Sequence, residues 1–295
     1  MTTATIDPVN DDADARTTAR RMWARLEIVH TLVYFAPSVL AAKAEVGLKG
    51  QMMGYAASRI APMGAVGPEV AVATFYNFSP RLLHRALPDA WSFASPDAVL
   101  DATQTAVADL LRDLWAGQSE QVAEAAELAR EVALLHPIVG RPLAAAWSSV
   151  AWSDRPELVL WQAATRIRES RGDGHLALLV GHGVDGVETH LTLKGDSPKL
   201  RQLLSPLRGW SDDEWDAAAD RLRDRGLLDV DGALTEAGTT LRADLEHATD
   251  VLAAPPWTEF GPDATERLEV ALQPLVARVL DAGVLPGVIA RRADL

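Results

Sequence analysis

The sequence predicts a mainly α-helical protein made of two related halves, the second carrying a short β-hairpin. Three observations predict this. Apolar residues recur at spacings of three and four along much of the chain, beginning with Met22, Leu26, Val29 and Val33. Strand signals are few, and the strongest is the Asp231-Gly232 pair set between two short extended runs. Finally, three blocks recur in the same order: AASRI at 56–60 against AATRI at 163–167, SPRL at 79–82 against SPKL at 197–200, and Trp91-Ser92 against Trp210-Ser211.

The elements follow in chain order. Residues 1–13 are polar and acidic and read as a disordered leader. Helical periodicity starts near Ala15 and continues through Val39–Val46 and Met52–Ile60. Ser95-Pro96 is an N-cap with proline in the first turn, opening a helix toward Trp115. A second long helix, Glu120–Leu135, stops before His136-Pro137. These features give a first half at 14–115, a helical connector at 116–154, a second half at 155–255 and a C-terminal helical segment at 256–295.

The second half is the more specific. Ser211-Asp212-Asp213-Glu214 caps a helix through Trp215, Ala218 and Leu222, which closes at Gly226. Leu227–Val230, the Asp231-Gly232 turn and Ala233–Thr235 then form a hairpin, and Thr235 opens the next helix. Helix, tight hairpin, helix is the layout of a winged helix; an unrelated helix pair joined by a hairpin would give the same pattern. The first half lacks a wing after Trp91. The run DRLRDRGLLDVDGALTEAGTTLRADLE (220–246) resembles the C-terminal part of MarR-type winged-helix domains. TARRMWARLEIVHTLVYFAP, MGYAASRIAPMGAVGPEVAVATFYNF, LPDAWSFASP, TRIRESRGDGH and RGWSDDEWDAAADRLRDRGLL resemble an actinobacterial helix-turn-helix, MarR-like family. That family has no assigned function and is often encoded near specialised-metabolism genes. The resemblance implies two tandem winged-helix-like halves and, as in MarR-like folds generally, a homodimer.

Composition bounds the function. With 48% hydrophobic and 23% charged residues, the 295-residue chain has material for packed cores. No apolar run approaches the roughly 18–20 residues of a membrane span, and the start lacks a signal peptide. The absence of cysteine removes disulfides, thiolate nucleophiles and cysteine-bound metals. The expectation is a cytoplasmic protein with no membrane partner. Its 28 basic residues face 41 acidic ones, a net charge of −13, so DNA binding requires a local basic patch. The helix before the hairpin instead opens with Asp212, Asp213 and Glu214, and continues with Asp216 and Asp220. DNA is therefore not the expected partner, although a ligand-responsive regulator is the main rival reading.

Chemistry is sought among polar groups in apolar surroundings. His30 and Tyr34 share a helix face, with Glu27 a turn earlier, either as a bonded core pair or as the wall of a ligand pocket. Tyr55 and Arg59 follow at the same spacing; Arg59 needs a carboxylate or a bound anion, and Glu69 is the expected partner. Tyr76 and Asn77, in an aromatic run, suit either a core layer or a stacking wall. Arg168–His175 is the densest polar cluster. Its glycines, 172 and 174, suggest a tight turn that gathers Arg171, Asp173 and His175, with Asp173 orienting the imidazole; a solvated turn is the alternative. His30, His175 and Asp173 are thus candidate acid/base groups, with Tyr34, Tyr55, Arg59, Glu69, Tyr76, Asn77 and Arg171 as ligand contacts. No metal motif links His175, His182 and His190, and no phosphate loop, dinucleotide fingerprint or GxSxG occurs. The cofactor is unknown; haem bound through a single histidine leaves no sequence trace. The leading expectation is a small-molecule-binding protein, with cofactor-independent acid/base chemistry in specialised metabolism as its enzymatic form.

Overall fold

The structure, a computed structural model, describes residues 13–287; most of the expected leader and residues 288–295 lie outside that range. α1 (Ala13–Thr31) buries Met22, Leu26, Ile28 and Val29 and tightens into a 3-10 turn at Leu32–Tyr34. α2 (Pro37–Glu45), α3 (Gly50–Ile60), α4 (Pro68–Phe75), α5 (Pro80–Ala86) and the single turn α6 (Ala90–Phe93) follow. α7 (Pro96–Leu114) starts as the sequence requires: Pro96 occupies the first turn and the Ser95 hydroxyl accepts from the Ala98 N–H at 3.2 Å. Such a cap contributes about 1 kcal/mol. α8 (Ser119–Leu135) stops before Pro137, and the short α9 (Pro142–Ser148) leads to α10 (Pro156–Gly181).

α10 is the axis of the molecule, packing against α1, α7, α8, α9 and α14. Then come α11 (Glu188–Lys194), α12 (Pro198–Arg208), α13 (Asp212–Asp224), α14 (Glu236–Ala253), α15 (Pro255–Phe260) and α16 (Pro262–Asp281). The largest apolar cluster joins α1, α7, α8, α10 and α16 around Trp115, Trp147, Trp161 and Leu272. A second packs α3–α6 around Ile60, Phe75, Phe78 and Leu83, and a third packs α11–α13 around Trp215 and Leu222. Each fully buried leucine or isoleucine side chain contributes roughly 1.5–3 kcal/mol, so these clusters, rather than helix propensity, hold the short helices. Among the described residues no single helix is long and apolar enough to cross a membrane.

Two expectations need correction. The hairpin turn forms, with Gly232 at φ 82° and an Asp229 N–H to Ala233 carbonyl bond of 2.9 Å, but no strand occurs among the described residues. Leu228 and Leu234 make one isolated antiparallel bridge. The reason is local. The Asp229 carboxylate takes the Ala233 N–H at 2.8 Å and the Asp231 N–H at 2.9 Å, diverting a donor that a ladder would use.

The second concerns residues 168–175. They form no turn; α10 runs straight through both glycines. A helix surrounded by other helices must bury polar residues, and each here meets a partner: Glu169 meets Arg59, Ser170 the Pro137 carbonyl, Arg171 Asp250, Asp173 the Ala144 N–H, and His175 Thr249. Gly174 serves packing, since a Cβ there would lie 2.6 Å from the Arg141 guanidinium. Arg141 in turn donates to the Ser170 carbonyl.

Candidate functional site

The first-half candidates do come together. His30 is buried at the end of α1, its ring stacked on Trp161 with centroids 6.0 Å apart. Its Nδ1 lies 2.9 Å from Thr165 Oγ1, and its Nε2 lies 2.9 Å from the Tyr34 hydroxyl. The Thr165 hydroxyl donates its one proton to the Trp161 carbonyl at 2.8 Å. His30 must therefore donate from Nδ1 and accept the Tyr34 proton at Nε2. Burial holds the His30 pKa well below its ordinary value, so the ring is neutral. Burial likewise pushes Tyr34 upward. With both nitrogens engaged, His30 orients Tyr34 and has no ring atom left for a ligand.

Tyr34 stacks obliquely on Tyr55 at 4.7 Å, and Tyr55 touches Phe78 at 5.3 Å. Tyr55 and Arg59 lie one turn apart on α3, and the Arg59 Nη1 donates to the Tyr55 hydroxyl at 3.2 Å. The carboxylate that Arg59 pairs with is Glu169 on α10, through Nε and Nη2 at 2.9 Å each. Glu69, the expected partner, sits exposed in the first turn of α4, so that assignment is corrected. The sequence neighbourhood favoured Glu69, but α10 carries Glu169 directly onto α3. Arg168 adds a 2.8 Å bond to the same carboxylate and stands 3.5 Å from Glu27.

Glu169 is fully buried. Burial alone would raise its pKa, but Arg168 and Arg59 outweigh this and hold it at about 2. Arg208, at the end of α12, completes the cluster, its guanidinium 4.1 Å over the Phe78 ring. Three arginines thus surround the Tyr55 phenol. Burial would raise the Tyr55 pKa, yet Arg59, Arg168 and Arg208 together bring it below the ordinary tyrosine value. Arg168, Glu169 and Arg208 were missing from the sequence-derived site. Arg168-Glu169 carried a signal, as a charged pair one turn C-terminal to Thr165 in an apolar stretch; Arg208 carried none.

The other candidates go elsewhere. Arg171 and His175 share the α10 face toward α14, where Arg171 pairs with Asp250 at 2.7 Å and His175 Nδ1 meets Thr249 Oγ1 at 2.8 Å. Asp173 lies on another face and accepts from Ala144 in the first turn of α9 at 3.0 Å. Burial raises the Asp173 pKa to about 6 and lowers that of His175 to about 4. The proposed Asp173–His175 pair does not exist, because side chains two residues apart on a helix project about 160° from one another.

Tyr76 and Asn77 form a docking point. Tyr76, at φ 49°, donates to the Val184 carbonyl, and the Asn77 carbonyl accepts from His190 Nε2 at 3.0 Å and Trp210 Nε1 at 3.1 Å. His175, His182 and His190 have separate partners, and no cluster of three or more potential metal ligands occurs among the described residues. Beside His30, Tyr34, Arg59 and Trp161 lies an internal cavity of about 10 Å³, no larger than one water needs. The cluster reaches the surface at Tyr55, Arg168 and Arg208, which are half-buried.

No curated protein and no solved structure matches the chain. A family model described as a helix-turn-helix family matches residues 19–286, which takes in all the helices that build this cluster. By that match, the chain belongs to a helix-turn-helix family.

Proposed function

We propose that this helix-turn-helix family member is a cytoplasmic small-molecule-binding protein whose ligand meets Tyr55 where α3, α10 and α12 converge. The observation that carries the reading is the Tyr55 phenol, bonded to Arg59 and in the field of Arg168 and Arg208, at the half-buried edge of the network. A phenol held in strong positive potential is a stronger acid than an ordinary tyrosine and can donate to, or exchange a proton with, a bound molecule. In an enzymatic form Tyr55 is the acid/base group, and His30 acts through Tyr34 as a positioning residue. A role in specialised metabolism rests on the family resemblance alone.

The duplicated, MarR-like reading of the scaffold has support in element order. α3, α4 and α5 run as helix, short helix and a helix opened by Ser-Pro, followed by Trp91; α10, α11 and α12 run likewise, followed by Trp210. Against this, α10 is far longer than α3, and Gly174, which falls opposite Gly67 when 56–60 is laid on 163–167, lies inside a helix whereas Gly67 precedes one.

The second reading is a ligand-responsive regulator. It is favoured by the docking of Trp210 and of the Arg208 carbonyl onto Asn77 and Ser79, which ties the α12–α13 pair to the segment beside Phe78. A metabolite screen by thermal shift on the full chain, repeated with Tyr55→Phe, tests the ligand reading. A hit should raise the melting temperature of the parent and lose its effect in the variant. A hit unaffected by Tyr55→Phe would place the ligand elsewhere.

A further inference from the structure

We propose that the ligand presents an oxyanion, a carboxylate or a phosphate, which pairs with Arg208 and accepts a hydrogen bond from the Tyr55 hydroxyl beneath α12. The inference rests on the ligand-binding reading and gives it a chemical class.

Charge pairing in the cluster leaves one cation over. Arg59 and Arg168 both converge on Glu169, and Arg168 also approaches Glu27. Arg208 forms no ion pair among the described residues, and its Nε is buried without a hydrogen-bond partner. That is notable in a chain with 41 acidic and 28 basic residues, where carboxylates are in surplus. A half-buried guanidinium without an anion keeps the cost of its desolvation, and a carboxylate or phosphate edge matches its planar donors. Tyr55 supplies a second unmet need. Its oxygen accepts from Arg59, while no acceptor among the described residues takes its own proton. An oxyanion at this point satisfies both groups at once.

Its place in the fold fits such a role. The internal cavity is too small for more than a water, so an anion that reaches Tyr55 and Arg208 enters from the α12 side. None of the eleven residues of α12 is buried, and glycines at φ 71° and 76°, Gly195 and Gly209, flank it. The helix is tied at its C-terminal end by the Arg208 carbonyl, which accepts from the Ser79 N–H at 2.7 Å. Its other ties, Arg201 to Asp212 and Asp216 and Leu204 against the α11–α13 cluster, run to α13, so the α3 side can open without dismantling a core. The ligand would then bridge α3 and α12, adding a contact between the first half and the α12–α13 pair.

The test uses the full chain at constant ionic strength. Calorimetric titration with benzoate, with its neutral analogue benzamide and with inorganic phosphate should show saturable binding of an anion and none of benzamide. Benzoate alone identifies a carboxylate site, phosphate alone a phosphate site. Arg208→Gln should weaken the anion at least tenfold while remaining folded. A readout on the parent protein guards against a variant that does not fold: a bound anion should shift the early-ionising tyrosine, Tyr55, to higher pH. Absence of that shift, equal binding in a folded Arg208→Gln, or failure of both anions overturns the oxyanion assignment. Benzamide binding that is lost in Tyr55→Phe would also overturn it, yet would leave the ligand-binding reading intact.

Discussion

Arg59 and Glu169, 110 residues apart in sequence, meet as a bidentate ion pair with both N···O distances at 2.9 Å. Both side chains are buried, so neither charge has water to fall back on. Removing Glu169 strands Arg59, at a cost of about 3–5 kcal/mol, whereas removing Arg59 leaves Glu169 its bond to Arg168 and costs less. Glu169→Gln should lower stability in urea denaturation by that amount, and Arg59→Met by less. The Arg59→Met/Glu169→Met double variant should lose much less than the sum. Additive losses would show that the pair is not energetically coupled.

The three tyrosines should titrate apart. Tyr55 ionises below the usual value of about 10, because Arg59, Arg168 and Arg208 overcome its burial; Tyr34 and Tyr76 ionise above it, chiefly through burial. Near-ultraviolet absorbance against pH should show one early step and two late ones, and Tyr55→Phe should remove the early step. The signs for stability are opposite. The contribution of Tyr34 is full below about pH 10 and is lost as pH rises toward its higher folded value, while that of Tyr55 grows between its folded value and about pH 10.

Acid should destabilise the fold through its buried histidines. Burial lowers His136 to about 3, His175 and His190 to about 4, and His30 as well. A histidine depressed in the fold contributes stability that is complete above about pH 6.5 and is lost as pH falls toward its folded value. At pH 5 the loss is on the order of 2 kcal/mol each for the well-buried His136 and His190. Asp173, raised by burial to about 6, works the other way and offsets part of it as pH drops below 6. Melting temperatures measured from pH 7 to pH 5 should fall steadily; a flat profile would contradict this assignment of neutral histidines.

Gly172→Ala should stabilise the protein. The residue lies in mid-helix, and an added Cβ would meet only a Glu169 oxygen at an ordinary 3.9 Å. Alanine is favoured over glycine in a helix interior by roughly 0.5–1 kcal/mol, which corresponds to a melting temperature about 1–3 °C higher. A turn at this point would give the opposite sign.

Duplex DNA should bind without sequence preference or not at all at physiological salt. α13 exposes Asp212, Asp213, Asp216, Asp220 and Asp224, and the hairpin tip exposes Asp229 and Asp231. Arg201 is occupied by Asp212 and Asp216, and Arg223 by Asp220. Carboxylates on the face that would meet phosphates oppose binding. Nanomolar, salt-sensitive affinity for a defined site in a fluorescence anisotropy assay would refute this.

Local chemistry was legible wherever a few neighbouring residues decide the outcome. The Ser95 cap, the Ser211–Glu214 capping box, the stop at His136-Pro137 and the glycine close at Gly226 all appear as read. The i, i+4 pairs His30–Tyr34 and Tyr55–Arg59 also appear, because helical spacing alone brings each pair together. Half of the candidate site was therefore readable as two short segments.

By itself the sequence determined the helical class, the caps and which side chains share a helix face, since these depend on contacts within about one turn. The tertiary structure alone decided that Arg59 pairs with Glu169 and not Glu69, that residues 168–175 stay helical, and that Arg208 reaches Tyr55. Glycine and charged residues in a row favour a turn in an isolated peptide. At the centre of a helical bundle every one of those polar groups finds a partner on a neighbouring helix, and the energy of those long-range pairs outweighs the local preference.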